Sequence, residues 1–221
     1  MTATVSRLGI GALAVGAALI ALLGFLPSDR PVSALRQTIS QYGLTDNRWI
    51  FNVAVILVAL GSAGIFGILH AQKRLPASSA VLGALWTVGL LVIVAFPKTN
   101  WAIEATTSAT GTLHRIASVV AFVSLPVAVL LAAARAFPHA PHRRTLARLL
   151  GWASLGWFAA ILAAVPVGVA VGGNWWELIP LGLMERGLAF TEVVALAAIA
   201  VPAVKSLPDE TDRLLAPTQP T

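Results

Sequence analysis

The chain has 221 residues, 57% of them hydrophobic and only 11% charged, with a mean hydropathy of +0.84. A water-soluble domain carries roughly 45–50% and about 25%, so this composition excludes a soluble protein and places the chain in lipid. The absence of cysteine removes disulfide frameworks, thiolate nucleophiles and cysteine-ligated zinc or iron–sulfur centres. The formal charge is +6, but the 15 Lys and Arg residues fall mostly at the ends of apolar stretches rather than in one aromatic-interleaved patch, which speaks for membrane topology and against nucleic acid.

A helix needs about 20 apolar residues to cross a bilayer core of roughly 30 Å. Six stretches qualify: 7–26, 49–71, 80–97, 112–134, 147–171 and 180–204. The expected fold is an all-α membrane protein, a six-transmembrane helix bundle forming one domain over residues 1–207, with a disordered polar tail over 208–221. The first stretch is too long for a secretory h-region and has no A-x-A site before Pro27, so it reads as a retained helix. In the second, Gly61, Gly64 and Gly67 recur every third residue beside Ser62 and Ala63, a pattern that lets another helix approach closely.

Sorting basic residues onto alternate faces puts nine on the side of the termini and six on the other, which predicts cytoplasmic N and C termini in the cell membrane. The Arg135–Arg148 segment is then an inner loop whose charge orients the chain beside anionic headgroups. Trp49, Trp101, Trp175 and Trp176 fall at outer ends as an aromatic belt, and Trp152 and Trp157, placed deeper, are assigned to packing. After the first span, Pro31 suits a helix N1 position, Gly43 a C′ position, and Val32, Leu35, Ile39 and Tyr42 recur at helical spacing between them. A short amphipathic outer helix over 31–42 is expected, with Arg36 and Ser40 on its other face, floating in the headgroups or folded down as a lid.

Ionisable groups inside membrane spans cost roughly 2.5–3.5 kcal/mol each and therefore mark functional sites. The fourth span opens Gly111-Thr112-Leu113-His114-Arg115; the sixth opens Gly182-Leu183-Met184-Glu185-Arg186, with Glu192 two turns on. Arg115 and Arg186 balance Glu185 and Glu192, as a set of buried ion pairs requires. Such pairs either lock the fourth helix to the sixth or line an outward-facing polar cavity, to which Tyr42 and Asn52 add hydrogen-bonding groups. The shared G-x-L/M-x-R pattern, preceded in each case by an Asn-Trp pair, suggests repeated hairpins around one site. A catalytic set of Ser40, His114 and Glu185 can be drawn, but no nucleophile-elbow pattern surrounds Ser40. Four histidines spread over both faces do not suit a metal centre, and no phosphate-binding glycine loop is present.

Four short motifs taken together, Ser40-Gln41-Tyr42-Gly43, Phe96-Pro97, Gly111-x-x-His114-Arg115 and Gly182-x-x-Glu185-Arg186, resemble the bacterial integral membrane proteins of domain-of-unknown-function family 998. The resemblance spans residues 8 to 204 and implies a six-helix membrane fold with no established reaction. Members often carry an acidic residue soon after the Phe-Pro pair, where this chain has Lys98, Thr99 and Asn100. The leading functional expectation is binding or transport of a small polar or anionic ligand or a lipid headgroup at Tyr42, Asn52, His114, Arg115, Glu185, Arg186 and Glu192, with no cofactor and no metal. The alternatives are a membrane-embedded enzyme acting on an amphiphile, with His114 and Glu185 as acid and base, and a structural or partner-binding membrane subunit.

Overall fold

The computed structural model describes residues 2–100, 106 and 108–205, so the polar tail and Trp101 lie outside the described residues. Six helices follow one another: α1 (Thr2–Leu23), α2 (Arg48–Ala71), α3 (Ala77–Ala95), α4 (Ala109–Ala136), α5 (Pro141–Val171) and α6 (Leu181–Lys205). Helices α1 to α5 are each long and apolar enough to cross a membrane. Helix α6 is as long, 25 residues, and carries Glu185, Arg186 and Glu192 in its first half. Sequential neighbours pack as antiparallel pairs, and α6 returns to contact α1, α4 and α5. Leu13, Ile65, Leu69, Leu125, Val129, Leu196 and Ile199 fill the centre. The outside is equally apolar, with Phe25 87% and Val169 79% exposed, as lipid-facing surfaces are.

Two kinds of contact hold the bundle. Polar atoms in the interior are tied locally: Trp86 Nε1 donates to Ser62 Oγ at 2.9 Å, that hydroxyl donates to Val58 O, and Ser79 Oγ donates across to Ala128 O of α4. Glycines supply the close approaches. A Cβ on Gly61 would stand 2.7 Å from Gly9 O, and one on Gly16 would stand 2.7 Å from Ala54 O, so α1 lies on α2 with backbone against backbone. Of the predicted glycine stripe only Gly61 makes this crossing. Gly64 faces a Val5 methyl at an ordinary distance, and Gly67 faces open space.

Three expectations are corrected. Residues 31–42 form no α-helix: Ala34–Arg36 make a turn and Ile39–Leu44 a single 3₁₀ helix. Gly43 is not a left-handed cap, since Lys73 and Gly172 alone among the described residues have positive φ; it is small because Phe51 lies against it. Trp152 is 64% exposed rather than packed, whereas Trp157 does pack, its indole filling the place a side chain at Gly187 would need. Of the tryptophans expected at the outer ends, Trp49 and Trp176 are exposed, while Trp175 folds over Gly168.

The glycine crossing gives a paired test. Gly61→Ala should destabilise the protein by about 1–3 kcal/mol through overpacking, whereas Gly67→Ala, on the same helix, should be neutral or stabilising by up to about 1 kcal/mol. Thermal unfolding of the two variants in detergent measures the difference; equal effects would contradict the close crossing.

Candidate functional site

The connections after α1, α3 and α5 meet at one end of the bundle, where Lys98 Nζ donates to Thr38 Oγ1 at 3.0 Å and Arg36 Nη1 donates to Glu177 O at 3.1 Å. Residues 33–39 run as a strap across the start of α6. Arg186 Nη1 lies 3.0 Å from Ala34 O and 2.8 Å from Gln37 O, and the guanidinium also reaches Tyr42 Oη and stacks 5.8 Å from that ring's centre. Leu183 N donates to Leu35 O, and Ile39 N donates to Glu185 Oε2 at 2.9 Å. These bonds explain why the helical spacing of 31–42 does not become a helix. The carbonyls of Ala34, Leu35 and Gln37 and the amide of Ile39, which a helix would use internally, all serve α6 instead. Gly182 completes the arrangement, because a Cβ there would stand 2.7 Å from Ala34 O.

The start of α4 repeats the design. Thr99 crosses it so closely that a Cβ on Gly111 would meet Thr99 N at 2.7 Å, Ser108 Oγ caps the helix by accepting from Gly111 N, and His114 Nδ1 bonds Phe96 O at 2.9 Å. Thus Gly111 and Gly182 each admit a crossing segment, and the residues three positions on, His114 and Glu185, each grip its backbone.

Two cavities lie beneath these crossings. A small one of about 220 Å³ is lined by Ser40, Arg48, Asn52, Lys98 and His114 with Phe51, Ile93 and Pro97. A larger one of about 580 Å³ runs into the bundle between Val55, Trp86, Leu90, Phe122 and Val193, under a ceiling of Ser40, Tyr42, Glu185 and Arg186. Its walls include Phe25 and Phe190, which are 87% and 69% exposed, so it opens sideways to the apolar surface between α1 and α6. Ser40, Phe51 and Ile93 border both cavities.

The predicted site residues therefore divide. Tyr42, Glu185 and Arg186 stand at the larger cavity and Asn52 and His114 at the smaller; Arg115 is exposed on α4, near enough to Lys98 to act on its charge. Glu192 is fully buried away from both linings, and neither carboxylate oxygen has a hydrogen-bond partner among the described residues. The expected ion pairs are corrected: Arg186 spends its donors on carbonyls, Glu185 accepts an amide, and neither they nor Glu192 form a salt bridge among the described residues. No hydrogen bond links Ser40, His114 and Glu185; the Ser40 hydroxyl pairs with Thr38 Oγ1 at 3.1 Å.

Sequence reasoning gives Lys98 and Arg48 no place in a binding site, yet both line the small cavity. For Lys98 the available signal was its place directly after Phe96-Pro97. Burial holds the Lys98 ammonium below its ordinary range; Glu185 offsets part of that effect and Arg115 adds to it. At the rim, Asp29 is held below the usual carboxylate range, chiefly by accepting from Asp46 N.

Arg186→Met would leave two strap carbonyls without their donor. Trypsin should then cut after Arg36, exposed on the strap, about tenfold faster than in the parent chain, since losing a charged hydrogen bond costs about 1.5–3 kcal/mol. Unchanged cleavage would show that the strap is held by other contacts.

No curated protein and no solved structure matches the chain. A family does, over residues 10–202, nearly all of the helical bundle just described, with the strap and both glycine crossings inside it. The chain, a multi-pass membrane-type helical protein, belongs to the family described as "Protein of unknown function (DUF998)".

Proposed function

We propose that this protein crosses the cell membrane six times with both termini in the cytoplasm, and binds a membrane amphiphile whose apolar part occupies the larger cavity. The carrying observation is the sideways opening beside Phe25 and Phe190 into a chamber walled by Trp86, Leu90 and Phe122. A water-soluble ligand has no use for an opening onto an apolar belt, whereas a lipid chain sliding in from the bilayer exchanges one apolar environment for another. The polar ceiling of Tyr42, Glu185 and Arg186 supplies orientation at one end, as ligand cavities of roughly 300–1,000 Å³ commonly do with few polar groups. This favours the lipid-headgroup form of the expectation over a free polar solute. In this reading His114 and Glu185 serve binding and support rather than acid–base chemistry.

A sixth crossing by α6 fits its length of 25 residues and its contacts with α1, α4 and α5. Its charged first half is then sheltered by the strap, which accounts for charges that would be costly in lipid. The orientation rests on the nine-to-six distribution of basic residues, which places the strap end outside.

Binding is tested with a pyrene-labelled lysophospholipid and the full chain in nanodiscs of neutral lipid. Ala189→Phe, which fills the chamber, should weaken binding about tenfold, in keeping with ~1–3 kcal/mol for overpacking. Equal binding by the variant would remove the chamber from the function. Because the chain has no native cysteine, orientation is read by maleimide labelling of intact cells. Asn174→Cys at the strap end should react from outside and Ser78→Cys at the start of α3 should not; the reverse pattern would overturn the topology.

A further inference from the structure

The smaller cavity differs in chemistry from the chamber it adjoins. Arg48 at the start of α2 and Lys98 after α3 both line it, joined by Asn52 and Ser40. The Arg48 guanidinium makes no hydrogen bond or ion pair among the described residues, and Lys98 spends one of its three donors, on Thr38 Oγ1 at 3.0 Å. Among the described residues nothing acidic lines the cavity. Glu185, which acts on the charge of Lys98, belongs to the other lining and has one oxygen committed to Ile39 N. Arg115 also acts on the charge of Lys98. At about 220 Å³ the space equals the liquid volume of about seven waters at ~30 Å³ each, room for a phosphate-sized group with some hydration.

We infer that this cavity seats a phosphate-type anion, held by Arg48 and Lys98 with Asn52 and Ser40 as further hydrogen-bonding groups. Arg48 offers the planar fork that matches phosphate oxygens two at a time, and Lys98 contributes a point charge in a half-buried setting where water screens it less. Ser40 borders both cavities, so a phosphate here lies next to the chamber's ceiling. The ligand class is therefore an anionic phospho-amphiphile, head in the small cavity and chain in the large one. This identification of the headgroup's owner rests on the amphiphile reading above; the anion seat itself does not.

The test uses the full chain in neutral-lipid nanodiscs, with thermal unfolding and displacement of the pyrene probe as readouts. Hexadecyl phosphate, hexadecyl maltoside, hexadecyltrimethylammonium and inorganic phosphate are the ligands. Hexadecyl phosphate should bind about tenfold tighter than the maltoside, the scale of one charged hydrogen bond, with a preference that shrinks as salt rises. Arg48→Gln and Lys98→Gln should each abolish most of that preference while binding the maltoside as the parent does, which a merely structural role would not produce. If inorganic phosphate binds as tightly as hexadecyl phosphate, the anion seat stands and its natural occupant is a soluble phosphate. If the alkyl phosphate and the maltoside bind alike, the anion seat is overturned and the amphiphile reading survives. If no amphiphile binds but inorganic phosphate does, at a site lost in both variants, the amphiphile reading falls and the seat stands; if nothing binds, both fall.

Discussion

A guanidinium bonded to backbone carbonyls organises the polar end of this protein. Arg186 lies at the first turns of α6 and holds Ala34 O and Gln37 O, with Leu183 and Glu185 gripping the strap on either side. An arginine in an apolar bundle is costly unless every donor finds an acceptor, and an extended segment of chain over a helix end is costly unless its carbonyls find donors. Each defect satisfies the other. The strap closes the chamber from above, fixes Tyr42 beneath the charge and sets Ser40 at the border of the two cavities, so the geometry of both depends on this one exchange.

The same solution at the start of α4 makes the end of the bundle a pair of similar crossings. His114 on Phe96 O and Glu185 on Ile39 N use different chemistry for the same task, one group facing a carbonyl and the other an amide. Small residues at Gly111 and Gly182 permit both crossings. What separates them is the lining: the segment over α4 brings Lys98 to the small cavity, where Arg48 of α2 joins it, whereas the larger cavity is walled mainly by apolar side chains. That difference makes one cavity polar and cationic while its neighbour stays apolar.

The helices were legible in the sequence because lipid leaves few alternatives: a long apolar run must satisfy its backbone internally. The division of the glycines was less so. Gly61, Gly64 and Gly67 look equivalent in the sequence, yet Gly61 alone meets Gly9, because a stripe of small residues states where an approach is permitted and not where the partner helix crosses. The strap was misread as a helix because its local spacing is helical and its competing bonds come from residues about 150 positions away. Arg186 and Glu185 stand out in the sequence as charges within an apolar stretch, but the charge balance suggests ion pairs where the structure has bonds to backbone. Lys98 and Arg48 escaped because a cation at a helix end already has a sufficient explanation in topology.

All the bonds that fasten residues 34–39 to α6 engage the main chain of the strap, while α6 contributes the specific side chains. The two sides of this junction therefore diverge under different rules. Substitutions at Ala34 or Leu35 can alter the surface over the cavity without disturbing how the segment is held, so long as the chain can follow the same path, whereas the Gln37 side chain accepts from Ser33 N and helps to shape that path. Changes at Gly182, Glu185 or Arg186 have no such latitude. A chain built on this junction can vary the side chains along its rim while keeping the scaffold beneath them fixed.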